Sequence, residues 1–278
     1  MSSTSAVHPT AIVEPGASLG SGVRIGPFCH VGPEVTLGDG VELVSHVVVA
    51  GATAIGDQTK VFPHATLGMP PQNVRHKGGR TTLTIGSKCV IREFVTMNTG
   101  TDTSRGATVV GDGGMFMAYS HIAHDCIVGN NVTFANLATL AGHCEIGDNV
   151  IIGGMTAVHQ FARIGHHAFL GGCSAIIGDV IPYGLAEGNK ARLRGFNIIG
   201  MKRSGFARAD LAVMRQAYRV IFDREHPIVE NLERAAAEFS GSGAVIDIID
   251  FMRSRGKRYF IVPPRGEALL DDDAGQDG

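Results

Sequence analysis

The sequence predicts a mainly β protein: a parallel β-helix of six-residue repeats, followed by a small α-helical domain. From Val110 to Ile176 an aliphatic or aromatic residue occupies every sixth position, and only small or β-branched residues stand four places after each of these. A period of six fits neither an α-helix nor an isolated strand. It fits a solenoid of short strands and turns, because each coil buries its apolar row only when the next coil stacks on it.

The same repeat begins near the N-terminus, at Val7, and continues to Leu67. Glycine often follows the apolar position, as at Gly20, Gly26 and Gly38, and we expect it to supply the positive φ angles and close approach of a corner. If three repeats close one triangular turn, a coil has 18 residues and the chain makes between eight and nine coils. With about 4.8 Å between stacked strands, the prism would be roughly 40 Å long. We assign residues 1–182 to it.

Two stretches interrupt the repeat, and we predict that both are loops projecting from the β-helix. Residues 69–84 are polar, with paired prolines and paired glycines, and residues 100–108 also lack the apolar period. Loops that interrupt a regular solenoid commonly carry function, since the scaffold gains nothing from them.

Beyond residue 182 the pattern changes from a period of six to helical spacing. We predict one helix over residues 208–223, a second from about Pro227 to Phe239 and a third from about Ala244 to Arg255. These helices define a C-terminal domain over residues 183–270, followed by an acidic tail at residues 271–278.

Composition excludes several classes of partner. The net charge is -2, which gives no general attraction for nucleic acid or a membrane surface. The N-terminus lacks the basic and apolar regions of a secretory signal, and no apolar run approaches the roughly 18 residues of a membrane span. Four of the five cysteines fall in the small-residue register, which favours reduced core positions and a cytoplasmic protein: Cys29, Cys89, Cys126 and Cys144.

Histidines concentrate in the central coils. His124 and His143 are one coil plus one residue apart, so they should lie at one corner of adjacent coils, and Gln160 is two coils after His124. A single histidine at a corner is more often a solvated surface residue. Because Asp125 follows His124, a carboxylate can orient the imidazole, which suits a general base near neutral pH. No H-E-x-x-H or C-x-x-C pattern suggests zinc, and no G-x-S-x-G pattern suggests a serine nucleophile.

These residues resemble the UDP-N-acetylglucosamine O-acyltransferase family of lipid A biosynthesis. The resemblance rests on the hexapeptide repeat together with HIAHDC at 121–126, LAGH at 140–143, GGMTAVHQF at 153–161, GGCS at 171–174 and GFN...MKRSGF at 195–206. It implies a left-handed parallel β-helix, a homotrimer and active sites in the clefts between neighbouring prisms. It also implies an acyl carrier protein as donor, a UDP-sugar as acceptor, and neither a metal nor another cofactor.

The resemblance also implies roles for individual residues. His124 would be the general base that activates the sugar 3-hydroxyl, Asp125 would orient it, and the backbone N–H of Gly142 would stabilise the oxyanion. The substrate sites would be lined by Gln72, Asn73, Arg75, Asn98, His121, His143, His159, Gln160, Gly172, Asn197 and Arg203. The residue matching Gly172 lies at the far end of the acyl groove, and a glycine there predicts a long acyl chain.

The sequence departs from the family pattern at four positions: Asn73 replaces Asp, Asn98 replaces His, Ile199 replaces Glu and Ser204 replaces a second Arg. Asn73 and Asn98 concern the sugar side, so a 3-amino analogue of the sugar nucleotide remains an alternative acceptor. Ile199 and Ser204 concern uridine and phosphate, and leave Arg203 as the anionic partner.

Three rival functions follow from the same fold. The related N-acyltransferase carries a uridine-binding domain before its repeats, whereas here the repeats begin at Val7. An acetyl-CoA-dependent acetyltransferase is a second rival. The third is a zinc-binding hexapeptide protein or a binding scaffold, and the zinc version expects two histidines five residues apart, a spacing that the twelve histidines do not show.

A cluster of cations in the helical domain predicts where an acidic acyl carrier protein docks. Its members are Lys202, Arg203, Arg208, Arg215 and Arg219. On a protein with a net charge of -2, such a local positive region would attract an acidic partner.

Overall fold

The computed structural model describes residues 5–254 and 256–264. In these described residues, twenty-six short parallel strands, β1 to β26, form the three faces of a prism, and a strand hairpin and four helices follow them. Sheet A contains β1 (Ala6–Val7), β4 (Arg24–Ile25), β7 (Glu42–Leu43), β10 (Lys60–Val61), β13 (Val90–Ile91), β16 (Met115–Phe116), β19 (Thr133–Phe134), β22 (Ile151–Ile152), β25 (Phe169–Leu170), β27 (Gly184–Glu187) and β28 (Arg192–Phe196).

Sheet B contains β2 (Ile12–Val13), β5 (His30–Val31), β8 (Val48–Val49), β11 (Thr66–Met69), β14 (Thr96–Asn98), β17 (His121–Ile122), β20 (Thr139–Leu140), β23 (Ala157–Val158) and β26 (Ala175–Ile176). Sheet C contains β3 (Ser18–Leu19), β6 (Thr36–Leu37), β9 (Ala52–Ile55), β12 (Thr82–Ile85), β15 (Ala107–Val110), β18 (Ile127–Val128), β21 (Glu145–Ile146) and β24 (Arg163–Ile164). The chain visits A, B and C in turn, so the prism has three corners: A–B, B–C and C–A.

The predicted coil length of 18 residues is confirmed by the strand register. Residue Thr133 pairs with Ile151 and Phe134 pairs with Ile152, one coil further along. The apolar sixth positions point into the prism, where Phe116, Ile122 and Leu140 have no exposed surface. Stacking of this column is what holds the coils together, since burying one such side chain contributes about 1.5–3 kcal/mol.

The corner geometry differs from the prediction. Gly20, Gly26 and Gly38 do not have positive φ angles. The left-handed residue stands two places later, at positions such as Asp125 (φ 60°) and His143 (φ 63°). The earlier glycines serve close approach instead: a Cβ atom on Gly26 would collide with the carbonyl oxygen of Val44 in the next coil.

Both loops leave the prism at the same corner. Strand pairing of β12 with β9 and β15 starts at Thr82, and β11 extends to Met69, so the first loop is residues 70–81, not 69–84. The second loop is residues 99–106, because β15 begins at Ala107. Residues 82–84 and 107–108 were predicted as loop because they are polar or lack the apolar period. Their backbone hydrogen bonds to neighbouring strands place them in the sheet instead. Both loops span the B–C corner.

The C-terminal region begins with a hairpin that the sequence reasoning missed. Strand β27 pairs with β25 and with the antiparallel β28, so β structure continues past residue 182. The helices that follow are α1 (Ile198–Arg203), α2 (Arg208–Ile221), α3 (Ile228–Glu238) and α4 (Gly243–Arg253). The last three match the predicted helices, whereas α1 is too short to show helical periodicity.

Helix α4 ends at Arg253, two residues before the predicted end, with Ser254 as its C-cap. The predicted acidic tail, 271–278, lies outside the described residues. None of the helices described has both the length and the hydrophobicity that crossing a bilayer requires.

Candidate active site

His124 stands at the B–C corner between strands β17 and β18, and it is buried rather than solvated. Its exposure is 9%, and its Nδ1 lies 2.9 Å from Oδ2 of Asp125. The general preference for solvated corner histidines therefore does not hold here, because the two loops cover this corner.

Asp125 has no exposed surface and accepts a dense set of hydrogen bonds. Its carboxylate accepts the Thr101 N–H at 3.1 Å, the Thr101 hydroxyl at 2.7 Å and the Gly106 N–H at 3.0 Å. Burial alone would raise the pKa of Asp125, but these donors and His124 outweigh it and hold the pKa below its usual range. Asp125 therefore anchors the second loop and presents a fixed negative charge to His124.

Asn73, on the first loop, contacts the other nitrogen of His124. Its Oδ1 accepts the N–H of Arg75 at 2.9 Å, which orients the amide so that Nδ2 donates to Nε2 of His124 at 3.2 Å. Nε2 is thus the acceptor, and Nδ1–H donates to Asp125. A histidine in this tautomer has its basic lone pair directed away from the carboxylate, as a general base requires.

The next coils extend the site along the same corner. The ring of His143 stands edge-on to His124 with centroids 5.1 Å apart, and it stacks on Phe161 with centroids 4.4 Å apart. Gly142 is buried directly over His124: a Cβ atom there would lie 2.5 Å from Cε1 of the histidine ring. Only a glycine leaves room for that ring.

Burial has a common effect on two more histidines of the site. It lowers the pKa of His143, to which the positive charges of Lys257 and Arg105 add, while Asp125 opposes the shift. Burial also lowers the pKa of His121, whose Nδ1 lies 2.7 Å from the Thr96 hydroxyl. Both rings are therefore neutral hydrogen-bonding groups near neutral pH.

The two loops are tied to each other beside the site. The Asp102 carboxylate accepts the N–H groups of Lys77 and Gly79 at 3.0 and 2.9 Å, and it lies 3.3 Å from Nδ1 of His76. Because Asp102 belongs to the second loop and the others to the first, these contacts set the position of Asn73 against His124.

The structure brings most of the predicted site residues to the B–C corner, and it places others elsewhere. Asn98 ends β14, where its Nδ2 donates to the Pro70 carbonyl at 3.2 Å. His159 and Gln160 occupy the B–C turn two coils above His124. Three residues lie outside this cluster within one chain: Gly172 at the A–B corner, Asn197 as the N-cap of α1, and Arg203 at its last turn.

Sequence reasoning missed several residues that build the site. Thr101, Gly106 and Arg105 contact Asp125 from the second loop, and no pattern in the sequence marks them. Phe161 could have been predicted, because it stands 18 residues, or one coil, after His143 and so lies next to it at the same corner.

Ligand atoms of His124, Asp125 and His143 lie within 4.8 Å of one another, a spacing that a metal ion could use. Oδ2 of Asp125, however, already accepts hydrogen bonds from Thr101 and His124. A metal bound to this oxygen would compete with those donors. The arrangement is better suited to proton transfer.

Comparison with known proteins finds relatives that are named as UDP-N-acetylglucosamine O-acyltransferases. A family model described as UDP N-acetylglucosamine O-acyltransferase, domain 2, matches residues 179–261, and one described as bacterial transferase hexapeptide (six repeats) matches residues 16–51. The chain is 64% identical over 257 residues to an acyl-[acyl-carrier-protein]--UDP-N-acetylglucosamine O-acyltransferase of Mesorhizobium japonicum, covering 92% of each chain. It is 54% identical to that of Bartonella bacilliformis, covering 92% of this chain and 94% of the relative.

Among solved structures, the crystal structure of UDP-N-acetylglucosamine O-acyltransferase from Moraxella catarrhalis superposes with a TM-score of 0.89 at 36% identity. That match covers 92% of this chain and 99% of the other. The prism and these relatives thus define a hexapeptide-repeat acyltransferase with a left-handed parallel β-helix. More narrowly, the chain belongs to the UDP-N-acetylglucosamine O-acyltransferase family and is an O-acyltransferase.

Proposed function

We propose that this enzyme transfers a (3R)-hydroxyacyl group from an acyl carrier protein to the 3-hydroxyl of UDP-N-acetylglucosamine, the first step of lipid A biosynthesis. The observation that carries the proposal is the buried His124–Asp125 pair, at 2.9 Å, with Nε2 of His124 as the acceptor nitrogen. The names of the relatives support the donor and the acceptor. The donor thioester supplies the acyl group, so the reaction needs no other cofactor.

His124 acts as the general base. Its Nε2 removes the proton of the sugar 3-hydroxyl as that oxygen attacks the thioester carbon. When the tetrahedral intermediate collapses, the C–S bond breaks and the imidazolium returns the proton to the departing sulfur. Asp125 stabilises the imidazolium, because its ionised carboxylate lies 2.9 Å from Nδ1.

Gly142 provides the oxyanion donor in this scheme. Proline occupies the equivalent turn position at Pro9, Pro15, Pro27, Pro33 and Pro63, so an N–H at this position is not needed by the strand ladder. The Gly142 N–H is therefore available to a substrate oxygen, beside the histidine that its missing side chain accommodates.

The complete site is proposed to lie between chains of a homotrimer. Gly172, Asn197 and Arg203 lie away from the B–C corner of their own chain, so they would serve a neighbour's His124. Sedimentation equilibrium combined with an activity assay tests this: a trimer is expected, and a stable active monomer would contradict the shared site.

Carrier docking is proposed for the helical domain. An open cavity of about 530 Å³ is lined by Lys202, Phe206, Arg208, Leu211 and Arg215. Its three cations suit the acidic surface of an acyl carrier protein, so added salt should weaken binding and Arg215→Glu should raise the carrier KM.

The test of the central proposal is His124→Ala with the substrates named above. We expect turnover to fall by about 10²- to 10⁴-fold, the usual contribution of a general base, with the assembly retained. His8→Ala, an exposed histidine at the first A–B turn, is the matched control and should keep full activity. More than half of wild-type turnover in His124→Ala would refute the mechanism.

A second acceptor, the 3-amino analogue of the sugar nucleotide, is favoured by one observation. Oδ1 of Asn98 is buried without a hydrogen-bond partner among the described residues. Asn98 follows the Met97–Ile122 pair and so stands beside Ala123, next to His124. A hydroxyl has one hydrogen, which His124 takes; an amine has a second, which Asn98 Oδ1 could accept.

Competition between the two sugar nucleotides in one reaction decides between these acceptors. A preference for the amine that is lost in Asn98→His supports the second acceptor. A preference for the hydroxyl in the wild type excludes it.

A further inference from the structure

The chain segment after α4, residues 256–264, returns to the β-helix and is firmly attached to it. The Asp179 N–H donates to the Tyr259 carbonyl and the Ile261 N–H donates to the Asp179 carbonyl, both at 2.8 Å. The Leu193 N–H donates to the Val262 carbonyl at 3.2 Å. This segment therefore has a fixed position against the last coils, and the residues at its start are fixed with it.

Two cations at that start lie on the B–C corner, which also carries His124 and His143. Arg258 donates from Nε to the Gln160 carbonyl at 2.9 Å and from Nη2 to Nδ1 of His159 at 2.7 Å. The Lys257 ammonium lies 4.4 Å from the ring centre of Phe161. The C-terminal segment thus contacts three consecutive residues of one turn.

Lys257 is connected to His124 through a continuous row of ring contacts. Phe161 stacks on His143 at 4.4 Å and His143 contacts His124 at 5.1 Å. The ammonium lies 4.4 Å from the Phe161 ring centre. Adding the Phe161–His143 and His143–His124 distances puts it at most about 14 Å from the His124 ring. That is within the length of either substrate of the proposed reaction.

The charge of Lys257 is not matched by a carboxylate. Within residues 5–254 and 256–264, no Asp or Glu lies within 4.0 Å of its ammonium. By contrast, Arg105 pairs with Glu145 and Arg163 pairs with Asp179. The side chain is also exposed, so a ligand can reach it. A lysine held above a binding row without an anionic partner is suited to bind a phosphoryl group as a point charge.

We propose that Lys257 is a phosphate-binding residue of the acyl-transfer site, placed there by the C-terminal segment; this rests on the proposed function. Two substrate groups share the required chemistry: the diphosphate of the sugar nucleotide, and the phosphodiester of the carrier protein's pantetheine arm. Both must be held while the acyl group and the sugar meet at His124.

The test compares Lys257→Met, which removes the charge but keeps an unbranched side chain, with Lys257→Arg, which keeps the charge. Lys88→Met, an exposed lysine at the C–A corner, is the control and should leave both KM values unchanged. Initial rates are measured with each substrate varied in turn, and with acyl-pantetheine, a donor that has no phosphate. UDP and 4′-phosphopantetheine are also titrated into each protein by calorimetry.

We expect one KM to rise about tenfold in Lys257→Met, with kcat within threefold of wild type and Lys257→Arg close to wild type. A rise for the sugar nucleotide, with weaker UDP binding, identifies the diphosphate. A rise for the carrier that is absent with acyl-pantetheine, with weaker phosphopantetheine binding, identifies the arm.

Unchanged KM values and unchanged binding of both titrants in Lys257→Met would overturn this inference, as would Lys257→Arg behaving like Lys257→Met. A wild-type enzyme that does not acylate UDP-N-acetylglucosamine would instead overturn the proposed acceptor. In that case the two titrations alone decide the role of Lys257.

Discussion

Replacing Asp125 by Asn tests how the structure sets the tautomer of His124. In one orientation, the new amide would direct its NH₂ at the backbone N–H groups of Thr101 and Gly106. Both N–H groups would then lose their acceptor in a buried site. The other directs NH₂ at the Thr101 hydroxyl, which can rotate to accept, and at Nδ1 of His124. The second orientation is preferred, since a buried unpaired donor costs about 1–3 kcal/mol.

In that orientation Nδ1 of His124 must accept, so the proton moves to Nε2. There it displaces the hydrogen bond that Asn73 donates, and the proposed general base is lost. We expect kcat to fall by about 10³- to 10⁴-fold, comparable to the same substitution in a serine-protease triad. Because most hydrogen bonds are re-formed without the charge, the free energy of unfolding should fall by only about 1–3 kcal/mol.

The assay is steady-state acyl transfer, with urea unfolding measured on the same preparations. Asp148→Asn is the matched control: Asp148 Oδ1 accepts the Asn130 N–H at 2.6 Å in an exposed turn of the C–A corner, remote from His124. It should leave kcat unchanged. If Asp125→Asn kept more than a tenth of wild-type kcat, tautomer control by Asp125 would be wrong.

Three further outcomes are expected. Gly142→Ala should lower kcat at least tenfold, because its Cβ would lie 2.5 Å from Cε1 of His124. Gly241→Ala is the control and should leave kcat unchanged, since no atom lies within 4 Å of its Cβ. Equal rates in the two variants would show that the His124 ring can move aside. Gly172→Met should shift donor preference toward shorter acyl chains in competition assays, and no shift would remove Gly172 from the acyl groove. Burial lowers the folded-state pKa of His121 and His143, so their contribution to stability is complete above the unfolded value of about 6.5 and is lost as pH falls through the folded pKa. Urea unfolding at pH 7.5 and 5.5 should show this loss, and a His121→Gln variant with an equally large loss would contradict the contribution of His121.

The sequence by itself determined the solenoid and the register of its corners. The period of six is a local property that every coil repeats, so Phe116 and Phe134 could be placed in one buried column without knowing the fold of any other segment. The 18-residue coil also placed His124 and His143 at one corner of adjacent coils. Helices α2, α3 and α4 could be predicted for the same reason. Each buries one stripe of apolar side chains, and the spacing of that stripe is a local property of the sequence.

Only the tertiary structure decided what surrounds that corner. The burial of Asp125 depends on Thr101 and Gly106, which reach it from a loop without periodicity, and the tautomer of His124 depends on Asn73 from another. Lys257 meets Phe161 across 96 residues of chain. Such contacts depend on the path of the whole chain through space. A repeat encodes the neighbour one coil away, whereas loop and terminal contacts have no fixed spacing for a sequence pattern to reveal.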